Sequence, residues 1–189
     1  VSEKKPVPGS REEMRQIRLK SNWVNMIIAL VICFGVVFAV LMLAPQPKGD
    51  PTRDVDVTSI GKTAEDHAGF SVYTPQLLED WKANDAHFTK MGRPETDTWY
   101  VSMVGPQDQW ISVRQSQGDD DWLTSVLDGA VERGESKIDG VTFTEYESKD
   151  LTQQALVGKI GGTTIVFKGS ARWESYHAYA EQAVEHLNS

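Results

Sequence analysis

Glu174, His177, Glu181 and Glu185 recur at spacings of three and four along the last periodic segment of the chain. On a helix they share one face, and carboxylates beside an imidazole are ligands for a divalent transition metal. The same face is what a helix shows to water opposite an apolar stripe. Trp173, Tyr176, Ala180, Ala183, Val184 and Leu187 supply that stripe. The solvated reading is the simpler one, so no metal ligand is assigned. Asp119-Asp120-Asp121 lacks the spaced oxygens and terminal Glu of a calcium loop and reads as a helix cap. The chain has one cysteine, Cys33, and no G-x-S-x-G elbow, and neither His67 nor His87 has a nucleophile beside it. Gly134, Gly140 and Gly161-Gly162 serve turns, with no phosphate-loop pattern around them. No catalytic residue and no cofactor site is expected, and the chain reads as a non-enzyme.

Aromatic residues are the more suggestive group. Of six tryptophans, Trp23 precedes a long apolar run and five lie beyond it. Trp122 and Trp173 fit helix-to-sheet packing. Trp99 and Trp110 lie near the two ends of one hairpin's strands, where an exposed ring would anchor a protein partner. These two are the candidate contact residues of the C-terminal part.

The elements that position these groups begin with Met26–Ala44, which has no charged or strongly polar side chain. As a helix it spans about 28 Å, close to the hydrocarbon thickness of a bilayer. It is too long for a signal-peptide core, and Pro45 and Pro47 crowd the place where a peptidase would cut. Cys33, preceded by Ile32 and followed by apolar residues, reads as a small apolar residue of the helix. Lys4, Lys5, Arg11, Arg15, Arg18 and Lys20 precede the run, while only Lys48 and Arg53 follow it closely. This asymmetry keeps the N-terminus in the cytoplasm, with Trp23 at the headgroup level. Gly35 and Ala39 form a small-xxx-small pair that lets another membrane helix approach. The expected organisation is a cytoplasmic basic segment over 1–25, a transmembrane helix over 26–44, a Pro-rich stalk over 45–56 and an extracytoplasmic domain over 57–189.

Beyond Ala44 lie 13 of the 19 basic residues and 24 of the 27 acidic ones, a formal charge of −11. That balance opposes binding to nucleic acid or anionic headgroups. The domain has no cysteine and must stand on its core alone, for which about 130 residues suffice.

Three hairpins are predicted. Gln153–Ile160 and Thr163–Lys168 are joined by Gly161-Gly162, and Glu135–Ile138 and Val141–Tyr146 by Asp139-Gly140, both tolerant of positive φ. Thr96–Val104 and Gln109–Gln115 flank Gly105–Asp108. Trp110, Ser112 and Arg114 alternate with Ile111 and Val113, as in strands with one covered face. A further strand is expected to start at His87. Helices are predicted over Thr58–Ala68, ended by Gly69, over Asp120–Glu132, and over Ala171–Asn188. The fold class is α+β, an antiparallel sheet with the last helix packed on it.

Pro75, Leu78, Trp81 and Asn84 within PQLLEDWKAN, then Trp99-Tyr100-Val101, Trp110–Gln115 (WISVRQ) and Asp139-Gly140 before Phe143, carry a resemblance over nearly the whole chain. With its basic N-terminus, single span and acidic domain, the chain resembles an actinobacterial family of single-pass membrane proteins with an uncharacterised extracytoplasmic domain. Val1 would then be a GTG start codon written literally. The resemblance implies location and fold, and no activity. The functional expectation is an accessory or assembly subunit of an integral membrane complex, by analogy the respiratory cytochrome bc–cytochrome oxidase assembly. It would use Trp23, Gly35 and Ala39 in the plasma membrane and Trp99 and Trp110 outside. The alternative is a cell-envelope domain binding a lipid, glycan or peptide in a cavity lined by Trp81, Phe88 or Tyr146.

Overall fold

The computed structural model describes residues 23, 25–38 and 55–188. The chain divides into two compact units, 1–48 and 49–189. In the first, residues 25–38 form a helix (α1) of about 21 Å. No helix among the described residues is long and apolar enough to cross a membrane. The transmembrane helix expected over 26–44 is therefore not supported by the described residues, of which this segment contributes 26–38. Ala39 to Ala44 and the stalk up to Asp54 lie outside the described residues.

The second unit is α+β, built on one seven-stranded antiparallel sheet. In chain order it runs α2 (Val57–Ala68), β1 (Lys82–Met91), β2 (Thr96–Val104), β3 (Trp110–Ser116), α3 (Asp120–Leu127), β4 (Val131–Ile138), β5 (Val141–Glu147), β6 (Gln154–Ile160), β7 (Thr163–Gly169) and α4 (Trp173–Asn188). The sheet order is β1-β2-β3-β7-β6-β5-β4. Two meanders thus meet at the β3–β7 pair, where Val113 lies opposite Phe167. The α3 connection carries the chain from the centre to the far edge.

The turns follow their residues. Asp139-Gly140 and Gly161-Gly162 all take left-handed φ, as two-residue hairpins require. Gly69 ends α2 in the same conformation, and Asp56 caps its start by accepting from Ser59 N. Asp119 caps α3, accepting from Trp122 N at 3.0 Å.

Three sequence expectations need correction. The helix expected over Asp120–Glu132 stops at Leu127, because Asp128 and Gly129 both turn left-handed and the chain re-enters the sheet at Val131. This Asp-Gly is the same breaker read correctly at 139–140. The first strand starts at Lys82 and not near His87; a register shift between Ala83 and Asp85 puts Ala83 and Ala86 on one face and breaks the alternation a sequence reader looks for. In α4 the buried stripe includes Tyr179, which the sequence reading left out.

The two sheet faces carry separate cores. On one, α2 and α4 cover Trp99, Val101, Met103, Ile111, Val113, Phe143, Leu156, Ile165 and Phe167, with Tyr176, Tyr179, Ala180 and Ala183 packed against them from α4. On the other, α3 lays Trp122 and Leu127 on Ala155, Val157 and Val166. The segment between α2 and β1 is fastened by a fully buried amide. Gln115 accepts from Tyr73 N at 2.7 Å and donates to Ser71 O at 2.9 Å and Thr163 Oγ1 at 3.0 Å.

Candidate functional site

The helix residues that opened the sequence reading do not converge. Glu174, Glu181 and Glu185 are exposed. His177 is half-buried, with Nε2 3.8 Å from Glu145 Oε1 on β5. Among the described residues no group of three His, Cys, Asp or Glu could hold a metal ion. His67 Nδ1 lies 2.9 Å from Thr63 O one helical turn back.

Trp99 is not a surface anchor. It is fully buried, and its Nε1 donates to Tyr73 O at 2.8 Å. Its place on β2 puts it on the face covered by the helices, and the strand's alternation turns Tyr100 outward instead. Trp110 is half-buried at the start of β3. Trp81 lies edge-on to Tyr179, with ring centroids 5.6 Å apart, and it also fills the space beside Gly105. Trp23 is exposed. A Cβ at Gly35 would meet nothing within 4 Å. Ala39 lies outside the described residues.

A polar constellation assembles on the α3 side of the sheet, across β1, β2, β3 and β7. His87, Tyr100 and Arg114 stand on directly paired positions. The His87 and Tyr100 rings lie 4.9 Å apart, and the Arg114 guanidinium carbon sits 5.3 Å from the Tyr100 ring centroid. On the next rung, Ser102 pairs with Ser112, and Ser112 with Lys168. Arg114 Nη1 donates to Ser112 Oγ at 3.0 Å, and Ser112 Oγ donates to Lys168 O at 2.9 Å. Lys168 Nζ donates to Val126 O and Leu127 O, each at 3.3 Å. These are carbonyls at the C-terminal end of α3, where a cation is favourable. Burial lowers the Arg114 pKa. Burial and then the nearby Arg114 charge lower that of Lys168, against a smaller raising effect of Asp128. His87 also pairs with Asp85 at 3.2 Å.

Sequence reasoning had the alternation of Trp110, Ser112 and Arg114 in hand but treated it as a strand signal. Lys168 belongs to a different hairpin, 54 residues further along in sequence. Only the β3–β7 pairing brings it beside Ser112.

The family of proteins of unknown function designated DUF4245 matches residues 18–183. The chain belongs to this family. No curated protein and no solved structure matches it.

The DUF4245 match takes in α1 and nearly all of the sheet unit. Among the described residues, clefts open at the surface of that unit. One, of about 280 Å³, lies between Tyr73, Gln76 and the Gln182, Glu185 and His186 side of α4. In it Gln182 Oε1 accepts from the Tyr73 hydroxyl at 3.2 Å and from Gln76 N at 3.0 Å. A second, of about 360 Å³, lies between Trp81, Gln107 and Arg172. A third, of about 580 Å³, lies between Arg93 on the β1–β2 turn and Ser125 on α3. Trp81 and Phe88 pack with the α4-side core and Tyr146 with the α3-side core, so the sheet separates Tyr146 from the other two.

Proposed function

We propose that this chain is a non-catalytic, membrane-anchored accessory or assembly subunit of a larger integral membrane complex, with the respiratory cytochrome bc–cytochrome oxidase assembly as the first candidate. The N-terminus lies in the cytoplasm and the sheet domain outside. One observation carries the reading. The large apolar side chains of α1 are exposed on successive positions, Leu30, Val31, Ile32 and Phe34 among them. At 100° per residue such positions point in all directions around the helix, and a helix apolar all round belongs in lipid or against other protein. The sequence continues apolar through Ala44, and the basic flank before it supports the orientation.

Gly35 is where the proposal can be probed. A Cβ there would meet nothing within 4 Å among the described residues. Gly35→Leu therefore leaves the isolated protein undisturbed, and it weakens association where another helix packs on that side. The deciding experiment is isolation of the tagged full chain from native membranes in mild detergent, followed by mass spectrometry. Stoichiometric recovery of one integral complex, reduced in Gly35→Leu, supports a subunit. Recovery of the chain alone overturns it and redirects the search to a ligand of the sheet domain.

A further inference from the structure

We propose that the α3-side face of β1, β2, β3 and β7 is an oxyanion-binding site, in which Arg114 supplies the donor fork and Lys168 the second charge for a phosphate or carboxylate group. The argument starts from what each cation already does. Lys168 has a structural task, since two of its three protons are directed at the last carbonyls of α3. Arg114 has none that consumes its charge. A guanidinium carries five N–H donors, and Arg114 uses one described hydrogen bond, to the neutral Ser112 hydroxyl, while resting over Tyr100.

Among the described residues, neither cation has a carboxylate within ion-pair distance. Pairs formed elsewhere in the unit include His87 with Asp85, Arg133 with Glu147, and His177 with Glu145. Two like charges are thus held on neighbouring rungs of one sheet face, partly withdrawn from water. That arrangement is costly unless something negative joins it. It is also out of keeping with its surroundings, because the chain beyond Ala44 carries a formal charge of −11.

The geometry suits a small group. Residues two apart on a strand are separated by about 7 Å, so one oxygen-bearing anion at the outer edge of the pair lies within reach of both long side chains, which flank the fully buried Ser112. Ser102, half-buried on β2, faces the same rung. Arg binds carboxylate and phosphate through paired N–H groups, which a lone ammonium cannot do. The acidic field of the domain repels extended polyanions and anionic membrane surfaces. The occupant is therefore a small ligand or a single anionic group. The inference does not depend on the chain being a subunit of a complex.

The test uses the purified full chain in detergent micelles, titrated with sodium phosphate and with sodium citrate against sodium chloride at matched ionic strength. Tryptophan-detected melting reports binding, since a ligand of the folded state raises Tm in a saturable way. A saturable rise with phosphate, citrate or both supports the site, and which anion acts identifies the source. Arg114→Gln is expected to weaken the apparent Kd at least about tenfold, Lys168→Gln severalfold, and the exposed Lys149→Gln not at all. Ser102→Asp places a carboxylate on the same face; it is expected to raise Tm without added anion and to abolish the titration. This variant keeps the test alive if Arg114→Gln fails to fold. No saturable rise with either anion, wild-type titration of Arg114→Gln, or undiminished binding by Ser102→Asp overturns the proposal.

Discussion

The two faces of the sheet are made from alternate residues of the same strands, yet they differ in kind. On β2, Trp99, Val101 and Met103 face α2 and α4 and are wholly buried, while Tyr100 and Ser102 between them are only half-buried. On β3, Ile111, Val113 and Gln115 face the helices, while Ser112 and Arg114 face the α3 side. Core residues on the first face run from Ala83 on β1 to Ile138 on β4, the full width of the sheet. The second carries an apolar cluster over β5, β6 and β7, where Trp122 and Leu127 lie, with Trp122 also reaching over Gly118 and Gly92. On the helix-covered face the fully buried Gln115 amide is paired at both its oxygen and its nitrogen. A face half open to water can hold Arg114 and Lys168 without a carboxylate in direct ion-pair contact among the described residues, Asp128 acting on Lys168 only as the smallest of the named effects. Stability is thus concentrated on one side and chemical potential on the other.

The sharpest way to break this comparison is a pair of neighbours. Trp99→Ala is expected to cost about 3–5 kcal/mol, from a core cavity and a Tyr73 carbonyl left without its donor. Tyr100→Ala, one residue on and facing the other way, is expected to cost about 1 kcal/mol or less, as for substitutions outside the core. Urea denaturation at constant m-value measures both, and equal losses would mean that the faces are not energetically distinct.

Gln115→Leu comes next, at about 2–4 kcal/mol. It keeps the volume but strands Tyr73 N and Ser71 O in the interior, each unmade bond costing about 1–3 kcal/mol. Amide exchange should show the segment between α2 and β1 loosening before the sheet does.

Alkali should act on the helix-covered face. Burial raises the phenol pKa of Tyr73 and Tyr176 and pushes that of Tyr179 up to about 12. Between pH 10 and 12 the unfolded chain gives up these protons and the folded chain keeps them, so stability falls as pH rises through that window. A Tyr179 phenol raised from its ordinary value of 10.0 to about 12 corresponds to roughly 2–3 kcal/mol. Lys168, whose pKa is lowered, works in the opposite sense as pH approaches its unfolded value, while Tyr146 on the other face, also raised by burial, adds to the decline. Tyr179→Phe should flatten the decline measured by denaturation at pH 9 and pH 11.5, and an unchanged slope would remove Tyr179 from the account.

The smallest effect belongs to the α3 side. Asp119→Ala removes the cap of α3 and is expected to cost about 1 kcal/mol. Because α3 carries Trp122 over Gly118 and Gly92, the loss should appear as a local shift in tryptophan fluorescence at low denaturant. A loss as large as that of Trp99→Ala would show that the two faces fold as one energetic unit.

Much of the fold was readable because its signals are local. Asp139-Gly140 and Gly161-Gly162 specify tight turns through backbone sterics alone, and the alternation around Ile111 and Val113 marks a strand with one covered face. Two local misreadings have physical causes. Asp128-Gly129 was outweighed by the helical periodicity of Leu123, Val126 and Leu127, and β1 was obscured by the irregularity at Asn84. The candidate site was not readable, because Arg114 and Lys168 become neighbours through the pairing of strands from two different hairpins. Which tryptophan is exposed was equally hidden. Alternation says that Trp99 and Tyr100 face opposite ways, but only the seating of α2 and α4 decides which way is in. Residue types and spacings settle turns, periods and composition, since these depend on neighbours along the chain. Burial and the grouping of distant charges depend on which face the helices cover and which strands meet at the sheet's centre, and those are properties of the packed structure.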